Sequence, residues 1–189
     1  MQKIILASQS PRRRELLHLA EIPFEVIVAD TDESFPPGLT PAEASVYIAK
    51  NKALAVAEKT NSDLTILAAD TIVVCDGAII GKPAGRQEAI DILTILSDNT
   101  HEVITGVYLL GKKQERSFYD TTTVSFHALT REQIEYYVDH YKPYDKAGAY
   151  AIQEWIGAVG IKKVEGDFYN VMGLPVSRVL QVLNADFVG

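Results

Sequence analysis

The sequence predicts a mixed α/β fold, a twisted mixed sheet flanked by helices, on three observations. Short apolar runs of strand length alternate with well-capped helical segments through the first half of the chain. A long stretch of alternating hydrophobicity, folded back at Gly111-Lys112-Lys113, follows in the second half. Strands and helices do not form a strict βαβ repeat, so a purely parallel sheet is not expected. The 189 residues, 47% of them hydrophobic, are enough to bury roughly 70% of the unfolded surface. The expectation is one domain over residues 1–189, with two lobes and a cleft.

Ile4-Ile5-Leu6-Ala7 reads as a short buried strand. Ser10 suits an N-cap, and Pro11 suits the first helical position, where its missing N–H has no intrahelical partner to lose. That helix is expected to reach Glu21, with Leu16, Leu17 and Ala20 facing inward. Residues 24–28 form a second strand, and residues 30–38 an acidic, proline-bearing loop. Thr40-Pro41-Ala42-Glu43 joins an N-cap threonine, a first-turn proline and a glutamate three residues on, which is a capping box opening a helix to Lys59. Residues 64–69 are a near-continuous apolar run, as in a central strand. Residues 72–75 and 78–80 flank Asp76-Gly77, a two-residue hairpin signal. Residues 87–96 are helical. Residues 102–110 and 117–126 pair as an antiparallel hairpin, and Thr130 caps a helix to His140. Residues 149–152, 158–164 and 168–172 read as strands, with Gly166-Asp167 turning between the last two. Pro175 opens a final helix to Leu183.

Composition narrows the class. The net charge of −7 disfavours a protein that lives on nucleic-acid backbones, which requires a basic face. It leaves room for a small anion held by a local cluster of cations and a metal ion. No segment is long and apolar enough to span a bilayer. The start, from Met1 to Ala7, has too short an apolar core for a signal peptide. The one cysteine, Cys75, excludes an internal disulfide framework and suits a reducing compartment. A cytoplasmic protein with no nucleic-acid or membrane partner is expected.

Several residue groups could carry chemistry. Ser8-Gln9-Ser10-Pro11-Arg12-Arg13-Arg14 places three arginines at a helix start, the positive end of the dipole, where cations are mildly unfavourable. A strand-to-helix turn with free N–H groups, the Ser8 and Ser10 hydroxyls and guanidinium groups would hold phosphate; otherwise it is a solvated basic patch. Asp70, at the carboxyl end of the expected central strand, either ligates Mg²⁺ or takes a proton from water, or else caps a turn. Lys82, in Gly81-Lys82-Pro83, either points into a cleft or is a surface lysine, as are Lys50 and Lys52 by default. Asp32-Glu33 are either solvated loop acids or metal ligands together with Asp70. In the segment from Asp145 to Gln153, small residues permit close backbone approach, and Gln153 offers the donor and acceptor needed to read a pyrimidine edge. Gly173-Leu174-Pro175 reads as a structural turn. The four histidines are scattered without metal-site spacing. The P-loop, GxSxG and dinucleotide fingerprints are absent from the sequence.

As an ordered set these motifs resemble the Maf family: Ser8 to Arg13, Ala69 to Thr71, Gly81 to Pro83, Asp145 to Gln153 and Gly173 to Pro175, over nearly the whole chain. The resemblance implies an elongated sheet related to the inosine-triphosphate pyrophosphatases. It also implies hydrolysis of a nucleoside triphosphate between the α and β phosphates with a divalent metal, Mg²⁺ or Mn²⁺. Asp70 matches the position given the proton-acceptor role, and Glu33, Lys52 and Lys82 match other charged cleft positions. Arg12, Thr71 and Gln153 match the branch acting on dTTP and UTP. Substrate contacts are expected from Ser8, Ser10, Arg12, Arg13, Thr71 and Gln153, and metal ligation from Asp70 and Glu33. Ala68, Ala151 and Glu154-Trp155 depart from the family pattern, the last two sites near the presumed base pocket. A homodimer is compatible with the family. The competing class is a nucleotide-binding regulator of septum formation with incidental hydrolysis.

Overall fold

The computed structural model describes residues 2–187; Met1 and residues 188–189, which the expected 1–189 domain includes, lie outside them. Strand β1 (Ile4–Leu6) leads into helix α1 (Pro11–Leu19), then β2 (Phe24–Val26), α2 (Pro41–Lys59), β3 (Ile66–Cys75) and β4 (Ala78–Ile80). Helix α3 (Arg86–Leu96), β5 (Thr100–Leu110), β6 (Glu115–Phe126) and α4 (Arg131–Tyr141) follow. A 3₁₀ turn (Ala147–Ala149), α5 (Trp155–Gly160), β7 (Ile161–Glu165), α6 (Phe168–Met172) and α7 (Val176–Asp186) complete the described chain. The strand order is β2-β1-β3-β5-β6-β7, with β4 paired to β3. β1 runs parallel to both β2 and β3, whereas β4 on β3 and β7 on β6 are antiparallel. The sheet is therefore mixed, as the irregular alternation of elements implies.

Local chemistry explains most boundaries. The Ser10 hydroxyl accepts from the Arg13 N–H, and Pro11 occupies the first helical position of α1. Both halves of the capping box form at α2, where the Glu43 carboxylate reaches the Thr40 N–H at 2.8 Å. The same device recurs at α4 with Thr130 and Gln133. Asp76 and Gly77 take positive φ of 50° and 76° in the tight turn joining β3 to β4, the backbone such a hairpin requires.

Three expectations are corrected. The run expected to end at Ala69 continues through Asp70 and Thr71 to Cys75, so Asp70 lies in the middle of β3 rather than at its end. Residues 149–152 and 168–172, read as strands, form a turn and the helix α6. Residues 158–164 divide between α5 and β7. Short apolar runs carry no period that separates strand from helix, and local contacts decided these. The Asp167 carboxylate accepts from the Tyr169 N–H at 2.7 Å at the start of α6. At α5, Gly157 lies so close to Ile152 that a Cβ would stand 1.7 Å from the Ile152 carbonyl oxygen.

The chain divides into two compact units. The first comprises Met1–Thr71, Thr105–Asp120 and Gly173–Gly189. Its core sets Ala49, Ala53 and Val56 of α2 against Ile5 and Ala7 of the first strand and its exit, Ile66 and Ala68 of β3, and Tyr108 of β5. Gly106 permits this close approach, because a Cβ there would meet the Ser45 carbonyl carbon and Val46 nitrogen at 2.4 Å. The second unit comprises Ile72–Ile104 and Thr121–Met172. There Ile90, Leu93 and Leu96 of α3 and Ile134 and Val138 of α4 are buried, and the two helices pack together. Among the described residues, no helix is long and apolar enough to cross a membrane.

Candidate active site

Within the first unit, the expected residues converge on the middle of β3. Ala68 and Ala69 are fully buried, and the strand then turns polar at Asp70 and Thr71, both half-buried. Lys52 arrives from α2. It follows the buried Ser45, Ile48 and Ala49 at helical spacing, so the packing of that face carries its stem toward β3. Its ammonium donates to the Asp70 carboxylate at 2.7 Å and pairs with Glu33 from the 30–38 loop at 2.8 Å. The Lys52 and Asp70 side chains are only 16% and 14% exposed, against 49% for Glu33. Two carboxylates thus share one cation at the edge of solvent.

Arg13 is the buried member of the arginine triplet. Its Nε donates to the Gly173 carbonyl at 2.8 Å, Nη1 to the Ser8 hydroxyl at 3.1 Å and Nη2 to the Thr71 hydroxyl at 3.0 Å. Thr71 in turn shares a 2.9 Å hydroxyl contact with the buried Thr105 of β5. One guanidinium therefore ties the first, second and last of the sequence motifs together. Burial lowers the Arg13 pKa; the Asp70 charge opposes that shift, the neighbouring Arg12 charge adds to it, and Glu33 opposes it. Arg12 is half-buried on the same turn, and Arg14 is exposed with Nη2 on the Gln9 carbonyl at 3.3 Å. Ser8 also accepts from the Ser10 N–H at 3.2 Å, which fixes the strand-to-helix turn.

Lys82 and Gln153 belong to the second unit, and both are exposed. Their segments meet through the backbone, where the Gly148 N–H donates to the Gly81 carbonyl at 3.2 Å. Gly148 holds φ of 74°, in the left-handed region, against the Val73 side chain. Sequence reasoning passed over three groups that the structure brings to these positions. Thr105, which carries no local signal, anchors Thr71, and the carbonyl of Gly173, read in the sequence only as part of a turn, anchors Arg13. Glu154, marked in the sequence only as a departure from a family pattern, reaches Tyr137 and Lys146.

Hard carboxylate oxygens from Asp70 and Glu33, facing one position that a cation already occupies, suit Mg²⁺ or Mn²⁺. Among the described residues, no group of three or more His, Cys, Asp or Glu side chains could hold an ion. A two-carboxylate set accords with a metal that substrate phosphates complete rather than with a closed protein cage.

Comparison with known proteins gives one consistent family. The family model described as Maf-like protein matches residues 3–186. A dTTP/UTP pyrophosphatase of Cytophaga hutchinsonii is 51% identical over 184 residues, 97% of this chain and 84% of that protein. A dTTP/UTP pyrophosphatase of Parabacteroides distasonis is 49% identical over 96% of this chain and 94% of its own length. One of Bacillus cereus is 46% identical over 97% and 95%. Among solved structures, the Staphylococcus aureus Ham1 protein overlaps 66% of this chain and 72% of its own at 16% identity and a TM-score of 0.47. The match spans all but the outermost residues, and the chain belongs to the Maf-like protein family.

Proposed function

We propose that this protein hydrolyses dTTP and UTP to the nucleoside monophosphate and pyrophosphate. Relatives near half identity over almost the whole chain bear that name. The observation that carries the chemistry is the Lys52 ammonium bridging Asp70 and Glu33 in the middle of β3.

Asp70 holds the attacking water and takes its proton as the water oxygen bonds to the α-phosphorus. The bond from that phosphorus to the oxygen bridging it to the β-phosphate breaks, and pyrophosphate leaves. A triphosphate carries about four negative charges, so several cations are needed to hold it away from water. Arg12, Lys52 and Lys82 are assigned to those charges, with the Ser8 to Ser10 turn at the start of α1 offering backbone N–H groups. Arg13 secures that turn and Thr71 from beneath, through the three hydrogen bonds its guanidinium makes. Gln153, exposed on its segment, is assigned to the pyrimidine edge. Asp70 and Glu33 would hold the divalent ion, which when bound neutralises phosphate charge and activates water.

The test is Asp70→Asn, which keeps the shape of the side chain and removes its basicity. Turnover of dTTP is expected to fall by about 10³-fold while nucleotide binding survives, the range for losing a positioned general base. Turnover within threefold of the parent protein would remove Asp70 from the mechanism.

A further inference from the structure

Gln153 is an exposed side chain on an unusually constrained segment. Residues 149–152 before it and Ile156 after it are buried. The Glu154 N–H closes a turn on the Ala151 carbonyl at 3.1 Å, and the Gly157 N–H another on the Glu154 carbonyl at 2.9 Å. Glu154 stands at the N-cap position of α5, yet its side chain makes no cap hydrogen bond there. Instead its carboxylate turns toward α4 and the 145–149 segment. One oxygen accepts from the hydroxyl of Tyr137, the other lies 3.7 Å from the Lys146 ammonium. Tyr137 is fully buried, and its hydroxyl oxygen also accepts from the Ala151 N–H at 3.1 Å. Lys146 is itself buried, with its ammonium 2.8 Å from the Asp145 carboxylate.

We infer that Glu154 is a positioning residue for substrate selection: with Tyr137 and Lys146 it clamps the segment that presents Gln153 to the nucleobase. Three features favour this over a merely structural ion pair. The Glu154 carboxylate forgoes the cap of its own helix, where a shorter side chain would serve. Its two partners come from two different parts of the chain, α4 and the Asp145–Lys146 corner, so the carboxylate joins the Gln153 segment to both. Tyr137 takes a hydrogen bond from the Ala151 N–H, two residues before Gln153, which couples the carboxylate to the backbone leading into Gln153. A donor–acceptor amide discriminates between bases only when its own geometry is held, because a mobile amide satisfies either pattern.

The inference rests on Gln153 reading the base, and the experiment separates the two. Steady-state kinetics of the full chain with dTTP, UTP and CTP are compared for the parent protein, Glu154→Gln, Tyr137→Phe, Gln153→Ala and the Gln153→Ala/Glu154→Gln double variant. Glu154→Gln and Tyr137→Phe are expected to raise KM for dTTP by about tenfold with kcat changed less than about threefold, and to narrow the preference for dTTP over CTP. The double variant is expected to match Gln153→Ala, because positioning matters only while the amide is there. Thermal unfolding of each variant identifies any that lose the fold, and Tyr137→Phe, which removes one oxygen, serves if Glu154→Gln does so. Unchanged KM and base preference in both folded variants would overturn the clamp. Losses that add fully in the double variant would do the same, since they would show Glu154 acting independently of Gln153. If Gln153→Ala itself leaves base preference intact while the parent protein hydrolyses dTTP, the assignment of Gln153 fails instead, and the clamp with it. If the parent protein hydrolyses none of the three, the proposed function fails first.

Discussion

At the scale of single residues, burial separates the charged groups proposed for chemistry from the one engaged in the frame. Lys52 and Asp70 are mostly shielded but keep an edge at solvent, whereas Arg13 is buried and engaged by three protein oxygens. The sequence shows three consecutive arginines and no sign of which one folds inward; the acceptors Ser8, Thr71 and Gly173 lie as far as 160 positions away. His101 is a different kind of buried group. It is 1% exposed, its Nε2 lies 2.8 Å from the Tyr150 hydroxyl, and its Nδ1 has no hydrogen-bond partner among the described residues. Burial pushes its pKa down from 6.5 to about 4. The folded state therefore holds the neutral ring while the unfolded chain takes up a proton. The stability from the neutral ring is full above pH 6.5 and is lost as pH falls toward 4, by up to about 3 kcal/mol. His101→Gln keeps a donor and an acceptor without titrating in this range. Urea midpoints measured from pH 7 to pH 4 are expected to fall more steeply for the parent protein than for this variant, and parallel slopes would contradict the assignment.

At the scale of elements, helix α2 is the lever that delivers Lys52 to β3. Its start is readable from Thr40, Pro41 and Glu43. What holds it against the sheet was not readable, because that depends on Gly106 in β5 meeting the Ser45–Val46 peptide. Gly106→Ala would drive a methyl group into that backbone and push α2 outward. The expected cost is about 3 kcal/mol, a fall in Tm of roughly 10 °C. Activity measured well below that Tm should also fall, since Ser45 and Lys52 are two turns apart on one face. Unchanged Tm and activity would mean that α2 yields freely and does not set the position of Lys52. The same contrast between local and distant control runs through the remaining elements. Caps and the Asp76-Gly77 turn act within four residues and were legible. The middle of β3 was misplaced because Asp70 and Thr71 interrupt an apolar pattern without interrupting the strand. Residues 168–172 read as a strand because a five-residue run is too short to show a period, while their helix is started by the Asp167 carboxylate.

At the scale of the whole molecule, a chain of net charge −7 is expected to bind a polyanion through a few placed cations rather than through its overall field. The residues assigned to phosphate, Arg12, Lys52 and Lys82, come from three separate segments, and only their order along the chain and a family resemblance joined them in the sequence. Composition disfavours a nucleic-acid scaffold but does not choose between hydrolysis and binding alone. That choice turns on Asp70 and Glu33 sharing the Lys52 ammonium, with the Ser8 to Ser10 turn proposed to hold phosphate. The most direct test is pyrophosphate release from a panel of nucleoside triphosphates, with Mg²⁺ and with EDTA. The mechanism predicts release from dTTP and UTP, with the monophosphate as co-product, little from ATP or GTP, and loss of activity in EDTA. Release from none of them, or orthophosphate and a diphosphate in place of pyrophosphate and a monophosphate, would contradict attack at the α-phosphorus and leave the chain a nucleotide-binding protein or a different hydrolase.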